Sequence, residues 1–254
     1  MFNGAATYRV GRDLFAVDEN GYLILNDGQA YEIQIDSPTR VESFVVYFPR
    51  GWSQDVLRNF VTPADRLLDD PSTPPESVHF FEKFSRHDAI LSPAITELRR
   101  AHQTGLLSDV WVEEKLRGLL ARMLRSQRNS FRGVARLSAL RGSTRTELWR
   151  RTHRARDFIR ARACAPLTIS DMAGVACLSP FHFMRVFKAT FGVTPHVYLS
   201  QCRVEQAKFL LQRTELSVTQ ICLETGFESL GTFSTWFSRC TGKSPRAWRA
   251  KKQD

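Results

Sequence analysis

The chain has 254 residues, of which 43% are hydrophobic and 24% charged, a composition typical of a soluble protein with one large domain or two ordinary ones. The N-terminus lacks the basic and apolar stretches of a signal peptide, and the apolar runs are too short to cross a bilayer, so we expect a cytoplasmic protein without a membrane partner. The five cysteines are far apart and odd in number, which argues against a disulfide framework and against a zinc site.

The positive charge is concentrated in the C-terminal part of the chain. Residues 143–254 contain 18 Lys and Arg against 8 Asp and Glu, whereas residues 1–142 contain 18 of each, so the whole formal net charge of +10 lies after residue 142. A basic surface confined to one part of a protein favours a polyanionic partner such as nucleic acid. A solvated basic surface that serves solubility alone would give the same count.

The first part of the chain has the pattern of short antiparallel strands. Residues 7–48 alternate mostly with period two, and turn signals break the pattern into several strands. Tyr22 and Ile24, and then Tyr31, Ile33 and Ile35, recur on one face of these strands. A polar, proline-rich loop at 69–75 precedes one more predicted strand at 78–84.

Helical periodicity begins at Ser92, where a Ser-Pro pair suits the start of a helix that Gly105 ends. A second helix is predicted over about 108–128. We assign residues 1–130 to an N-terminal region, and the Arg- and Ser-rich residues 131–146 to a linker.

One group of potential metal ligands is present in the N-terminal region. His79, Glu82 and His87 are close in sequence, but their spacing on a strand-to-loop segment is a weak metal-binding signal. We therefore predict no metal site and no cofactor.

Residues 147–254 contain an internal repeat, which indicates two copies of one structural unit. At an offset of 49, the matched residues are Met172, Ala173, Ala176, Cys177 and Leu178 with Ile221, Cys222, Thr225, Gly226 and Phe227. At an offset of 50, they are Phe183, Phe187, Gly192, Thr194, Pro195 and Tyr198 with Phe233, Phe237, Gly242, Ser244, Pro245 and Trp248. The extra residue falls in the turn, where an insertion disturbs packing least.

Each copy has the pattern of a helix-turn-helix unit. A short first helix begins at Thr168 in one copy and at Ser217 in the other, with Asp171 and Gln220 at capping-box spacing. A longer second helix follows the turn, ends at a glycine, and has an apolar stripe that we expect to face the core. The second helices are predicted at 180–190 and 229–241, ending at Gly192 and Gly242, with core stripes Phe183, Val186, Phe187 and Phe233, Trp236, Phe237.

The opposite faces of the two longer helices are the candidate binding surface. The first helix presents Phe181, His182, Met184, Arg185 and Lys188, and the second presents Ser229, Gly231, Thr232, Thr235 and Ser238. Arg185 can form paired hydrogen bonds with a guanine edge and Lys188 can contact a phosphate, whereas His182 suits either a phosphate contact or a solvated position. The second face is uncharged, and its threonine methyl groups can pack on thymine methyl groups.

These motifs resemble the DNA-binding domain of the AraC/XylS family of transcription regulators. The similar strings are 178–188, 226–233 and 242–249, and the resemblance covers about 147–252, roughly the last two-fifths of the chain. It implies a fold of seven helices, in which the long helix Pro195–Arg213 joins two units whose recognition helices enter major-groove segments roughly 34 Å apart. With the N-terminal region, the predicted fold class is α+β.

The resemblance also implies partners for the whole protein. These are double-stranded promoter DNA in the nucleoid, RNA polymerase for an activator, a small-molecule effector bound by a shortened cupin-like sensor, and a second copy in a homodimer. The family usually has Arg or Lys where this chain has Thr235 and Ser238. We therefore predict that the first unit contacts the bases, while the second positions the protein through its backbone and Lys243, Arg246 and Arg249.

A DNA-repair or signalling enzyme can use the same module for delivery to DNA, as DNA-repair methyltransferases do. That alternative needs a reactive cysteine in the N-terminal region, and residues 1–142 contain none. The cysteines lie in or beside the repeat units, where small buried side chains are expected: Cys164, Cys177, Cys202, Cys222 and Cys240. We predict a regulator without catalytic residues.

Overall fold

The structure is a computed structural model that describes residues 1–37, 40–61, 78–105, 108–134 and 142–250. The N-terminal elements are β1 (Ala6–Val10), β2 (Asp13–Val17), β3 (Gly21–Leu23), β4 (Tyr31–Gln34), α1 (Trp52–Val61), β5 (Phe84–Arg86), α2 (Ser92–Thr104) and α3 (Asp109–Val134). The C-terminal elements are α4 (Gly142–Ala161), α5 (Ile169–Val175), α6 (Pro180–Phe191), α7 (Pro195–Arg213), α8 (Val218–Glu224), α9 (Leu230–Thr241) and α10 (Pro245–Ala250).

Two small antiparallel sheets form the β part of the N-terminal region. One has the strand order β2-β1-β4, and the other pairs β3 with β5. The side chains of Val10, Phe15, Val17 and Phe84 form a shared core between them. The cupin-like arrangement stays a prediction, since the described strands are short and belong to two separate sheets.

The apolar residues in and next to β4 are exposed. Tyr31, Ile33 and Ile35 are 41%, 48% and 54% exposed. Strand β4 lies at the edge of its sheet, with β1 as its neighbour. Alternation along a strand shows that two faces differ in polarity, but whether another element covers the apolar face depends on the tertiary fold.

The strand predicted at 78–84 forms only at its end, where Phe84 begins β5. Upstream, the Asn26 side chain takes the place of a strand partner. Its Oδ1 accepts from the Phe80 N–H at 2.7 Å, and its Nδ2 donates to the Phe80 carbonyl at 2.9 Å. A side-chain amide has both a donor and an acceptor, so it can satisfy an extended backbone without a sheet ladder.

The helices of the N-terminal region pack on one another through a core that includes Leu91, Leu98, Leu119 and Leu120. Helix α2 ends as predicted, at Gly105, whose φ of 68° is left-handed. Helix α3 continues to Val134 and α4 begins at Gly142, so both ends of the predicted linker are helical. The proline-rich loop at 69–75 and the middle of that linker lie outside the described residues, and the domain boundaries stay predictions.

Helix α4 has two buried faces. Ala155 and Ile159 of α4, together with Ala163 just after its end, are spaced four apart and join the core of the first helix-turn-helix unit. On another face, Arg156 and Arg160 contact the N-terminal sheets. Because residues three and four apart lie on the same side of a helix, the two stripes bind α4 to both parts of the molecule.

Within the described residues 142–250, the predicted C-terminal architecture of seven helices is confirmed. Each unit has its own core, and α7 contributes to both. Leu199 and Cys202, in its first half, lie in the core of the first unit. Val204, Ala207 and Leu211, in its second half, lie in the core of the second. Helix α7 therefore holds the two units on one rigid element.

Candidate nucleic-acid interface

Both predicted capping boxes are present and orient the first helix of each unit. The Thr168 hydroxyl accepts from the Asp171 N–H, and the Asp171 carboxylate accepts from the Thr168 N–H at 2.9 Å. Ser217 and Gln220 repeat this arrangement, with 2.8 Å between the Ser217 nitrogen and Gln220 Oε1. The reciprocal bonds satisfy two free N–H groups at each helix start and fix where it begins.

The turns of the two units have the same backbone conformation with different residues. Cys177 in the first turn has φ 52°, and Gly226 at the equivalent position in the second has φ 80°. The N–H of Leu178 donates to the Ala173 carbonyl at 3.0 Å, and the N–H of Phe227 donates to the Cys222 carbonyl at 3.1 Å. The first turn thus places a non-glycine residue in the left-handed region, which costs about 1–2 kcal/mol.

A close backbone contact explains the glycine in the second turn. A Cβ at Gly226 would lie 2.7 Å from the Cys164 carbonyl oxygen, in the turn that follows α4. Arg203 of α7 strengthens this junction, since its Nε donates to the Ala163 carbonyl at 2.8 Å. The turn of the second unit is therefore packed directly against the first unit.

The first recognition helix, α6, presents the face that the sequence predicts. Phe183, Val186 and Phe187 are buried, and the N-cap Ser179 accepts from the His182 N–H. The predicted outward residues are placed as follows: Phe181 is 73% and Met184 38% exposed, Arg185 and Lys188 are exposed, and His182 is half-buried.

The two basic residues of this face are available for a ligand. Within the described residues, no carboxylate lies at ion-pair distance from Arg185 or Lys188. Two unpaired cations on one exposed helical face, beside an exposed aromatic ring, suit contact with phosphates and base edges.

The second recognition helix, α9, has a smaller and uncharged face. Gly231, Thr232 and Thr235 are exposed, whereas Ser238 is half-buried. The Thr235 hydroxyl donates to the Gly231 carbonyl at 2.9 Å, which occupies its proton within the helix. Ser229 caps the helix and its hydroxyl donates to Thr232 Oγ1 at 2.9 Å. The hydroxyls of this face are thus largely used inside the unit.

Arg239 is an exposed cation on α9 that the sequence argument missed. Its guanidinium lies 5.4 Å from the centre of the Trp236 ring, over which it is stacked. The offset of 50 pairs Arg239 with Ala189, so the match between the units gave no reason to select it.

The basic residues after α9 differ in their roles. Lys243 and Arg246 are exposed. The guanidinium of Arg249 donates to the Leu216 carbonyl and is half-buried, and its predicted part in positioning the protein on DNA stays a prediction. Arg249 therefore holds α10 against the start of the second unit.

Several residues considered above as metal ligands or nucleophiles make contacts within the fold. Glu82 accepts from Asn26 Nδ2 at 2.8 Å, and His87 Nδ1 lies 3.0 Å from the Ser92 hydroxyl. Cys202 and Cys222 are buried in the two unit cores, and burial raises the pKa of Cys202 to about 11. A raised thiol pKa lowers the thiolate fraction, which is the reverse of what a nucleophile needs.

Two capped helix-turn-helix units on a shared helix, each with an exposed recognition face, define a double helix-turn-helix DNA-binding domain. Residues 172–251 match a family model described as a helix-turn-helix domain. This region is an AraC-type helix-turn-helix domain, as its motifs predicted. None of the helices in the described ranges has the length and apolar character needed to cross a membrane.

Named relatives match the chain over part of its length. It is 30% identical over 92 residues to the uncharacterized HTH-type transcriptional regulator YobQ of Bacillus subtilis (strain 168), covering 36% of this chain and 38% of the relative. It is 43% identical over 63 residues to the HTH-type transcriptional activator RhaR of Salmonella heidelberg (strain SL476), covering 25% of this chain and 22% of the relative. The chain thus spans less than half the length of these curated relatives.

Solved structures give partial matches as well. An AraC-type transcriptional regulator from Chromobacterium violaceum is 31% identical with a TM-score of 0.38, over 40% of this chain and 91% of that chain. The DNA-binding domain of AdpA in complex with a target DNA is 27% identical with a TM-score of 0.38, over 40% of this chain and 92% of that chain. Since these scores are low, the assignment rests on the family match and on the geometry of the two units.

Proposed function

We propose that the protein is a sequence-specific transcription regulator that binds double-stranded promoter DNA through α6 and α9. The observation that carries this proposal is the pair of exposed recognition faces on one scaffold, with Arg185 and Lys188 unpaired among the described residues. The basic charge of residues 143–254 supports it, because neutralising phosphates releases bound counterions.

The two units are assigned different tasks. Phe181, Arg185 and Lys188 of α6 contact bases and the adjacent phosphates. Helix α9 contributes Gly231, Thr232 and Thr235 to close backbone and methyl contacts. Lys243, Arg246 and the newly found Arg239 bind phosphates beside it. His182 and Met184 flank the contact surface of α6, and Ser229 acts through the cap of α9.

The wider role of the protein follows from the same proposal. RhaR carries the name of an activator, and we extend to this chain the contact with RNA polymerase that activation requires. The N-terminal region is proposed to sense a small-molecule effector and to support a homodimer. The protein is proposed to act in the cytoplasm, where bacterial promoter DNA lies.

The salt dependence of binding tests this function. The affinity of the full chain for promoter fragments should fall steeply between about 50 and 200 mM salt, because several phosphate contacts each release a counterion. Lys188→Ala should weaken binding to all sequences and lower the slope of log affinity against log salt by about one. Lys115→Ala, on α3, is the matched control and should leave the slope unchanged. A flat salt response would contradict the proposal.

A further inference from the structure

A cleft of about 230 Å³ lies between the N-terminal sheets and α4. It is smaller than the roughly 300–1,000 Å³ of sites for drug-sized ligands, so it suits a small metabolite. The residues that matter for its chemistry are Asp13 and Phe15 of β2, Phe81 and Glu82 before β5, and Arg150 and Arg154 of α4. The cleft is thus shared by both parts of the molecule.

Charged side chains of both signs line the cleft. Arg154 Nε lies 2.7 Å from Asp13 Oδ1, which joins the two walls at one point. Arg150, one turn earlier on the same face of α4, is exposed and has no carboxylate at ion-pair distance in the described parts of the chain. The carboxylate of Glu82, which also lines the cleft, accepts from Asn26 through Oε1.

The apolar surroundings strengthen the hydrogen bonds that these charged groups can form with a ligand. Phe15 is 2% exposed and Phe81 is half-buried, and they supply an apolar floor. Burial raises the pKa of Asp13, although the guanidinium of Arg154 opposes this shift. Charge-assisted hydrogen bonds are stronger where water is partly excluded, and an arginine fork matches a carboxylate or phosphate group.

The floor of the cleft is connected to the first recognition helix. The centre of the Phe81 ring lies 4.6 Å from the centre of the Trp149 ring of α4. Trp149 and Val186 form a buried cluster against which Phe81 packs. Val186 is the neighbour of Arg185 on α6, so a shift of α4 against the sheets changes the packing behind the base-contacting face.

We infer that this cleft binds a small organic anion that also carries hydroxyl or amino donors, with its anionic group on Arg150 and its donors on Glu82 and Asp13. Occupancy changes the DNA affinity of the first unit through Phe81, Trp149 and Val186. This second part rests on the proposed function, whereas ligand binding itself does not.

The test measures ligand binding to the full chain without DNA. Glucose 6-phosphate, 3-phosphoglycerate, citrate and glutamate are each titrated to about 10 mM at constant ionic strength, with thermal unfolding and calorimetry as readouts. Inorganic phosphate and neutral glucose are the controls for an anion without donors and for donors without an anion. The expected result is a rise in Tm with at least one organic anion, larger than with either control.

Variants locate the site. Arg150→Ala should weaken the binding of that anion at least about tenfold, as expected for the loss of a charge-assisted hydrogen bond. Glu82→Gln should weaken it as well. Arg151→Ala, next to Arg150 but paired with Glu147 at 2.8 Å, is the matched control and should bind normally. Arg150 is exposed, so its removal leaves the core intact.

Three results would overturn the inference. These are no stabilisation by any organic anion, equal binding of inorganic phosphate, and unchanged binding by Arg150→Ala. A variant Arg150→Ala that weakens DNA binding without any ligand would instead identify Arg150 as a phosphate contact. If the protein binds the anion but does not bind DNA, the inferred ligand site is supported and the proposed function is contradicted.

Discussion

The two helix-turn-helix units have the same backbone geometry but expose different side chains on their outward faces. Their first helices both have 7 residues and their recognition helices both have 12. The N–H of Gly192 donates to the Lys188 carbonyl at 2.8 Å, and that of Gly242 donates to the Ser238 carbonyl at the same distance. On the outward faces, however, Arg185 of the first unit corresponds to Thr235 of the second.

Their neighbours differ as well. The first unit packs against the N-terminal region through Trp149 and His153, whose rings contact Phe81. The second unit is held mainly by α7 and by the contact of Gly226 with Cys164. Caps, turns and core are constrained by backbone hydrogen bonding and packing, so they are retained in both copies. Exposed side chains are free of these constraints, which allows one scaffold to serve two tasks.

The largest effect should come from the equivalent core positions Phe187 and Phe237, which are both fully buried. Phe187→Ala and Phe237→Ala should each lower the free energy of unfolding by about 3–5 kcal/mol, because each leaves a cavity in one unit. Denaturant titration measures this, with the exposed Phe181→Ala as the control at about 0.5 kcal/mol or less. A loss confined to one of the two sites would show that the cores are not equivalent.

Substitutions at the equivalent turn positions should change the free energy of unfolding by different amounts in the two units. Gly226→Ala should lower the free energy of unfolding by about 1–3 kcal/mol, since φ 80° and the Cys164 carbonyl both oppose a Cβ. Cys177→Gly removes a side chain from the same conformation, so it should change stability by less than about 1 kcal/mol. The same denaturant titration measures both. Equal destabilisation by the two variants would contradict the shared turn geometry.

The recognition faces should differ in their effect on DNA affinity. Arg185→Ala should weaken binding to the best site by about 1–3 kcal/mol, whereas Thr235→Ala should cost less because its hydroxyl is used within α9. Binding titrations on one operator and on a scrambled fragment measure the difference. If Arg185→Ala weakens both fragments equally, this residue is a phosphate contact and does not select bases.

The first unit should also respond to acid at its boundary with the N-terminal region. Burial, together with the nearby Arg156 and Lys83, lowers the pKa of His153 well below its ordinary 6.5. Below about pH 6.5, His153 is protonated in the unfolded chain but stays neutral in the folded protein. The free energy of unfolding therefore falls as the pH decreases toward the pKa of His153 in the folded state. The slope reaches about 1.4 kcal/mol per pH unit. His153→Phe should remove this component, and an unchanged slope would contradict it.

The sequence predicted the elements whose signals are local. Thr168 with Asp171, Ser217 with Gln220, and the closing Gly192 and Gly242 determine helix ends through neighbouring backbone groups. The stripe of Phe183 and its repeat follows from helical periodicity alone.

What the sequence did not predict depends on contacts between distant residues. Two of these contacts, the hydrogen bond of Arg249 to Leu216 and the packing of Phe81 on Trp149, join segments that are far apart in the chain. The exposure of β4 depends on which other elements cover it. A charged residue has the same local pattern whether it faces solvent or a carbonyl. For that reason the sequence did not predict the contact of Arg249 with Leu216, and it gave no reason to select Arg239.

The central claim is that α6 selects bases and α9 mainly positions the protein. Selection of bound fragments from a random DNA pool, followed by sequencing, tests it for the wild type, Arg185→Ala and Thr235→Ala. We expect strong base preference in one half-site, its loss at one or two positions in Arg185→Ala, and an unchanged pattern in Thr235→Ala. Equal preference in both half-sites, with loss in Thr235→Ala, would contradict the claim.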